Sequence, residues 1–595
     1  MFNSKQLSDM SGAVRAGALY AIRSAASGHV GIALGAADII TAVYANHLRV
    51  GADEFVLSAG HGSALLYSVL KLAGYKIPSL KTFRKFGGLP GHPEYGIDGV
   101  AATTGPLGQG VGNAVGMALL KKIKKARREK NSDGFIYCMC SDGDLMEGVA
   151  QESIAFAGRY KLNNLIILWD DNKISIDGPA LTDLNVPMRM RAAGWDVQSI
   201  DGNDFDSLNR AMCAAQKASK PAFIQCRTVL GLGSSAAGRA AAHALELTDS
   251  ELLELEGRYA TANGLKLWAK VAKVKHRVAE KTEIVFPDFN IEHPASASTR
   301  ELSGKCLEKL VAENPNLLGG SADLSVSTKT RVSAHRDITP ADFSGNFINY
   351  GVREHAMAAI MNGLAVSGFR PYGGTFLAFS DYMRPSIRLA ALSKIPTIFV
   401  FSHDSIAVGE DGPTHQPIEQ LASLRLIPNL NVLRPCNATE VVAAWKMALG
   451  AATTPSCIIL SRQKFAQIET PPRAEIERGA YVIKAAATKN PKLTLIATGS
   501  EVPLAAAVAA KFRSVQVVSM PSVEKFRAQD DRYRNKILSG YVVVIEAGAT
   551  SAWFEFADAV MGIDRFGAGG AAADVYKHFG FDADAIAGDI AKRVK

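Results

Sequence analysis

Two short stretches of this chain place oxygen ligands at the ends of apolar runs. SDGDLMEG sets Asp142, Gly143, Asp144 and Glu147 after FIYCMC, and WDDNKISIDG sets Asp170, Asp171 and Asn172 after NLIIL. Asn172 follows Asp142 by 30 positions, about one strand–helix–strand unit, so adjacent loops can bring the two together. A carboxylate, an amide oxygen and a backbone carbonyl form a hard oxygen set suited to magnesium, which takes its remaining ligands from water and phosphate groups. Upstream, TTGPLGQGVGNAVGMALL is a glycine-rich turn entering a helix, where free N–H groups and the helix dipole can hold a diphosphate. Each signal has a plainer reading: an acidic strand end is equally a helix N-cap, and a glycine-rich turn is equally just a turn. Together they suggest a metal-bound diphosphate. The chain also has 12 histidines. Singly, a histidine is ordinarily a satisfied structural residue, but several converging on one ligand could relay protons.

The surrounding pattern supplies elements able to position these groups. FIYCMCSDG and NLIILWDDN have strand length, and QESIAFAGRYKL between them has helical periodicity, which predicts a β-α-β unit and a parallel sheet. Ligands on such sheets gather at the carboxyl ends of the strands, where both acidic clusters lie. Residues 245–285 read as helical and charged, and VFPDFNIEHPASAST then breaks the pattern as a linker. A second alternating block contains IPTIFVFSHDSIAVGEDGPTHQP, a buried strand running into a polar loop. ETPPRAEIERGAY marks another break, and a third block carries LTLIATGSEV and YVVVIEAG. The expected fold is α/β, three domains with mainly parallel sheets flanked by helices, over 1–285, 295–470 and 475–595.

Composition narrows the class. At 595 residues, 48% hydrophobic and 21% charged, the chain can bury several cores and is not wholesale disordered. No run approaches the roughly 18 apolar residues of a membrane span, and the opening segment lacks a signal-peptide core. Seven cysteines without CxxC spacing argue against a disulfide framework or structural zinc; Cys138 and Cys140 read as small buried hydrophobes. These features point to a cytoplasmic protein. The net charge of +9 is partly local: KKIKKARREK reads as the solvated end of a helix. Without interleaved aromatics it does not read as a nucleic-acid surface.

An acidic-glycine turn followed about thirty residues later by asparagine resembles the thiamine-diphosphate binding motif. With SGHVGIALGAADI, FVLSAGHGSALLYS, PGHPEYG, TTGPLGQG, NYGVREHAM and GEDGPTHQP in this order, the chain resembles the transketolase family. Departures are local: SDG stands where GDG is typical, and the loop GSSAAGRAAAHALEL before His243 is short.

The resemblance implies thiamine diphosphate with Mg²⁺, or Ca²⁺ or Mn²⁺ in its place, held by Asp142, Asn172 and the Ile174 carbonyl. His61, Gly105, Pro106, Leu107, Gly143, Asn172 and His243 would contact the cofactor. Phe376, Phe379 and Tyr382 would line its aminopyrimidine pocket, and Glu354 would face the pyrimidine nitrogen. His29, His243 and His415 would assist proton transfers. His29, His92, His243, Asp411 and His415 would bind the sugar, and Arg300, Ser327, His403 and Arg462 its phosphate. Arginine suits phosphate through its planar, charge-assisted fork, although a lone arginine defaults to a surface ion pair. The implied reaction moves a two-carbon ketol unit from a ketose phosphate such as xylulose 5-phosphate to ribose 5-phosphate or erythrose 4-phosphate, within the non-oxidative pentose phosphate pathway. The implied assembly is a homodimer with active sites at the subunit interface, with no nucleic-acid or membrane partner. A deoxyxylulose-phosphate synthase, a phosphoketolase and a non-catalytic cofactor-binding homologue are the rival readings. The first two are disfavoured by the joint presence of His29, His243, His403, Arg300 and Arg462, and the third by retention of Glu354 and the metal pair.

Overall fold

A computed structural model of the protein describes residues 1–130, 132–244, 247–271, 284–472 and 474–594. The chain divides into two compact units. One comprises Met1–Glu280 with Ile338–Gly345 and Ala359–Gly368; the other comprises Lys281–Asp337, Asn346–Ala358 and Phe369–Lys595.

The first unit is built on a five-stranded sheet: β1 (Glu54–Leu57), β2 (Ile136–Ser141), β3 (Leu165–Asp171), β4 (Asp196–Asp201) and β5 (Ala222–Arg227). All pairings are parallel, in the order β1-β2-β3-β5-β4. Every residue of β2 and β3 is buried, as expected of a parallel sheet covered on both faces. The predicted crossover helix is present as Gly148–Arg159. Register does the functional work here. Leu57 pairs with Met139, Ser141 with Asp170, and Asp171 with Arg227. Four strands therefore deliver their following loops to one edge of the sheet. Helices Asp249–Tyr259 and Ala262–Trp268 bear out the helical reading of that stretch, while positions 245, 246 and 272–283 lie outside the described residues.

The second unit holds two larger sheets and a two-stranded antiparallel pairing of Ser296–Ala297 with Phe465–Ala466. In the first, β6 (Leu317–Ser321), β7 (Phe347–Asn349), β8 (Arg370–Phe376), β9 (Ile398–Ser402), β10 (Asn431–Leu433) and β11 (Ser456–Leu460) are all parallel, in the order β7-β6-β8-β9-β11-β10. Phe376 pairs with Ser402 and Ser402 with Leu460, so Phe376, His403 and Arg462 emerge at one edge. In the second, β12 (Tyr481–Lys484), β13 (Leu493–Ala497), β14 (Val515–Ser519), β15 (Tyr541–Ile545) and β16 (Ala559–Met561) follow the order β12-β14-β13-β15-β16. Only β12 runs antiparallel. Residues 284–295 form no regular element, consistent with a linker.

The basic run closes the helix Gln109–Ala126 but is not wholly solvated. Lys121 is buried and donates to the Ala52 carbonyl at 2.8 Å, and Arg127 donates to the Gly345 carbonyl at 2.6 Å. All seven cysteines are free thiols. No helix among the described residues is long and apolar enough to cross a membrane.

Candidate active site

The sequence-predicted residues gather into two half-sites, one within each unit. In the first, Asp142 opens the short helix Asp142–Met146, capped by Ser141. Its neighbour Asp144 is a structural hub: its carboxylate accepts from the Ser58 hydroxyl at 2.6 Å, the Gly108 N–H at 2.7 Å and the Ser141 N–H at 2.9 Å. This ties the glycine-rich turn to the acidic turn. It also takes the N–H of Gly108 at the head of the helix, which is therefore not among the N–H groups free for a diphosphate. At Gly143 the acidic turn comes close to the glycine-rich turn: a Cβ there would lie 2.7 Å from Leu107 Cδ1, so the leucine would have to shift. Gly105 adopts φ +137, Pro106 is exposed, and Leu107 is half-buried.

Asp142 differs from Asp144 in having nothing to hold. It is 3% exposed, and neither carboxylate oxygen makes a hydrogen bond of full geometry; the Trp169 indole N–H and the Lys173 charge act on it only weakly. Burial, then the charges of Asp171 and Asp170, push its carboxyl up to about 7. A buried, unpaired carboxylate is costly unless a cation joins it. Asp170 accepts from the Thr228 hydroxyl and from the Asn172 amide at 3.1 Å, and Asn172 Oδ1 accepts the Ile174 N–H at 3.0 Å. Asp142, Asn172 and Ile174 thus fit a hard divalent ion by donor chemistry. The set contains one carboxylate, so it is not a cluster of three or more His, Cys, Asp or Glu ligands; no such cluster occurs among the described residues.

Four histidines converge in the same unit. His29 precedes the helix Val30–Gly35, and its ring centroid lies 5.4 Å from His61, 5.6 Å from His243 and 6.1 Å from His92. His61 and His243 stack at 5.4 Å, so the shortened loop before His243 still delivers the residue. Arg84, which the sequence reading missed, organises the group. Its Nη2 lies 3.2 Å from His29 Nδ1 while its Nη1 donates to Ser27 Oγ at 2.7 Å. A guanidinium can only donate, so Nδ1 accepts and neutral His29 carries its proton on Nε2. Nothing in the local pattern TFRKFGG distinguishes Arg84 from a surface cation.

Burial, reinforced by Arg84, His243 and His92, pushes His29 down to about 4; burial and the neighbouring histidines push His61 down to about 3. In the unfolded chain both titrate near 6.5. Below that pH the unfolded state binds protons that the folded state refuses, so stability falls as pH drops from about 6.5 toward 3. We expect the urea-unfolding free energy to decline between pH 7 and 5, and His61→Asn to remove up to about one proton from that slope. An unchanged slope would mean that His61 is already protonated in the folded chain.

The second half-site surrounds β8 and β9. Glu354 begins the helix Glu354–Val366 and is 8% exposed; its Oε1 accepts the Thr375 hydroxyl at 3.1 Å. Phe376 and Phe379 stack at 5.8 Å, with Tyr382 6.0 Å beyond. His415 packs edge-on to Phe379 at 5.2 Å, and His403 stacks on Phe376 at 3.7 Å. Asp411 is exposed at the end of the 3-10 turn Ile406–Asp411.

Arg300 and Arg462 are brought together by a long-range lock. The Thr299 N–H donates to Ser461 Oγ at 2.9 Å, and the Ser461 N–H donates to Thr299 Oγ1 at 2.8 Å. Arg300 Nη1 donates to the Ser327 carbonyl at 2.7 Å, while its buried Nε has no partner. Burial and the charge of Arg462 lower Arg300, and burial with both arginines pushes His403 down to about 3. Among the described residues, neither arginine has an ion-pair partner. Two neighbouring cations with no ion pair, offset only by the charge of Glu301 acting on Arg300, are poised for an anion.

Comparison with known proteins decides the family. Residues 7–285 match the model of the transketolase thiamine diphosphate binding domain, 295–467 the transketolase pyrimidine binding domain, and 479–582 the transketolase-like C-terminal domain. The chain belongs to the transketolase family. It is 40% identical over 653 residues to the transketolase of Rhodobacter capsulatus, with 97% of each covered. Leishmania mexicana transketolase superposes with a TM-score of 0.93 at 34% identity, covering 99% of this chain and 98% of that one. A Pichia stipitis transketolase in complex with sedoheptulose 7-phosphate gives 0.90 at 34% identity, covering 100% and 98%. This transketolase-family chain is therefore a thiamine-diphosphate-dependent transferase, and its first two matched regions are the family's cofactor-binding domains.

Proposed function

We propose that this enzyme transfers a two-carbon ketol unit from xylulose 5-phosphate to ribose 5-phosphate or erythrose 4-phosphate. The observation that carries the phosphate part is the pair Arg300 and Arg462, neither in an ion pair, beside His403. The relative solved with sedoheptulose 7-phosphate supports the same substrate class. The domains are assigned to 1–285, 295–470 and 475–595. The protein acts as a cytoplasmic homodimer, the diphosphate half-site of one subunit meeting the aromatic half-site of its partner.

Bound thiamine diphosphate supplies the nucleophilic carbon and the electron sink for carbon–carbon cleavage. The chain's own residues orient and protonate. Asp142, Asn172 and the Ile174 carbonyl hold Mg²⁺, with Gly105, Pro106, Leu107, Gly143, His61 and His243 against the diphosphate side. Phe376, Phe379 and Tyr382 offer a flat apolar wall to the pyrimidine. Glu354, anchored at Oε1 by Thr375, would keep its other oxygen available to exchange a proton with the cofactor's pyrimidine ring. Neutral His29, its Nε2–H directed by Arg84, passes protons to and from substrate oxygens together with His243 and His415; His92 and Asp411 bind hydroxyls. Arg300, Arg462, His403 and Ser327 take the terminal phosphate.

A coupled assay of cofactor-stripped protein tests this reading. Glyceraldehyde 3-phosphate release from xylulose 5-phosphate and ribose 5-phosphate should require both thiamine diphosphate and Mg²⁺. Arg462→Ala should raise KM for xylulose 5-phosphate by about tenfold or more and leave that for unphosphorylated xylulose nearly unchanged. Equal loss on both donors would contradict the phosphate assignment.

A further inference from the structure

The loop that follows β9 carries three of the residues assigned to substrate: His403, Asp411 and His415. Its conformation is held largely by the third matched region. Ile406 and Ile418, near its two ends, are buried in the same apolar core as Leu495, Val517 and Ile545 of β13, β14 and β15. The Gln416 side-chain amide donates to the carbonyls of Ile406 at 3.2 Å, Gly409 at 3.0 Å and Ala568 at 2.9 Å. It therefore pins two points of the loop to the C-terminal segment. The fit is tight: a Cβ on Gly567 would fall 1.8 Å from Gln416 Oε1. Gly409, at φ +76, passes close to that segment, where a Cβ would lie 3.1 Å from the Gly570 carbonyl.

The residues just after His403 are held the same way. Asp404 accepts from fully buried Arg434 at 2.8 and 3.0 Å, and Arg434 also bonds Glu501 and, at 2.8 Å, Thr498 Oγ1. The Ser405 hydroxyl lies 3.2 Å from the Tyr576 hydroxyl, which is 3.4 Å from Glu501 Oε1. His403 itself sits at φ +64. A non-glycine residue in that region is strained and persists only where its surroundings over-determine it. Arg434 and Tyr576 provide that over-determination immediately beside it.

We infer that the C-terminal domain is a positioning element of the active site, with Gln416 and the segment 567–576 setting the loop geometry that presents His403, Asp411 and His415 to the sugar phosphate. The clamping residues are not among those assigned to substrate; they act through the loop. The inference rests on the substrate assignment of those three residues.

Gln416→Met tests it, because methionine preserves length and volume while removing both amide N–H donors shared among the three carbonyls. Tyr576→Phe is the milder companion, deleting one hydroxyl, and carries the test if the first variant does not fold. With Mg²⁺ and thiamine diphosphate present, KM for xylulose 5-phosphate should rise about tenfold in Gln416→Met, and severalfold in Tyr576→Phe. Thiamine diphosphate affinity should stay within about twofold, and Gln416→Glu, which offers no donor to three carbonyls, should be no better than Met. A lower melting temperature with KM unchanged would overturn the inference, leaving only a structural clamp. Arg462→Ala run in parallel separates the two failures. If it discriminates against phosphorylated donor while the clamp variants do not, the positioning role alone is lost; if neither discriminates, the substrate assignment has failed first.

Discussion

Glu354→Gln should yield a folded protein whose transfer rate is lower by at least about a hundredfold. The side chain is nearly buried at the first position of a helix, where the macrodipole favours a negative charge. Thr375 satisfies one carboxylate oxygen and leaves the other for a ligand. Glutamine keeps the volume and can still accept from Thr375, but it cannot exchange a proton with a ring nitrogen at the second atom. The loss should therefore appear in kcat, with cofactor affinity reduced modestly and the melting temperature within a few degrees of the parent. Glu354→Ala should lose activity as completely. Near-normal turnover in either variant would remove the role assigned to this carboxylate, and would leave Glu354 as a helix-start residue bonded to Thr375.

Asp142→Asn should separate stability from cofactor binding in opposite directions. Both oxygens of Asp142 are buried without a hydrogen bond of full geometry, beside two further aspartates whose charge outweighs the help of Lys173 and Trp169. Replacing the acid with a neutral amide relieves that arrangement, and an unsatisfied buried polar group typically costs about 1–3 kcal/mol. The ligand-free variant should melt at the same temperature as the parent or higher. Calorimetric titration with thiamine diphosphate in Mg²⁺ should show binding weakened by about a hundredfold or more, because the only carboxylate of the proposed metal set is gone. A destabilised variant with unaltered binding would instead make Asp142 an ordinary first-turn residue of its short helix.

Much of this was legible in the residues because it is local. Apolar runs of strand length became β2, β3, β9, β13 and β15, and the interval between Asp142 and Asn172 reflects one β-α-β unit whose register carries Ser141 beside Asp170. Ordered motifs sufficed for the family, since each is a contiguous stretch. What escaped was non-local or depended on burial. Asp142 and Asp144 look equivalent in SDGDL, yet one is saturated by Ser58 and Gly108 while the other is left bare. The basic run looked solvated until Lys121 and Arg127 found backbone carbonyls far away in the sequence.

By itself, then, the sequence determined the α/β class and the family, because periodicity and contiguous motifs are written along the chain. Only the tertiary structure decided how those groups are held. Arg84 directs the tautomer of His29 across 55 positions, Thr299 and Ser461 bring Arg300 to Arg462, and the C-terminal segment clamps the His403 loop. Such contacts arise where strand register and packing bring remote side chains within hydrogen-bond reach, and no periodic pattern along the chain records them.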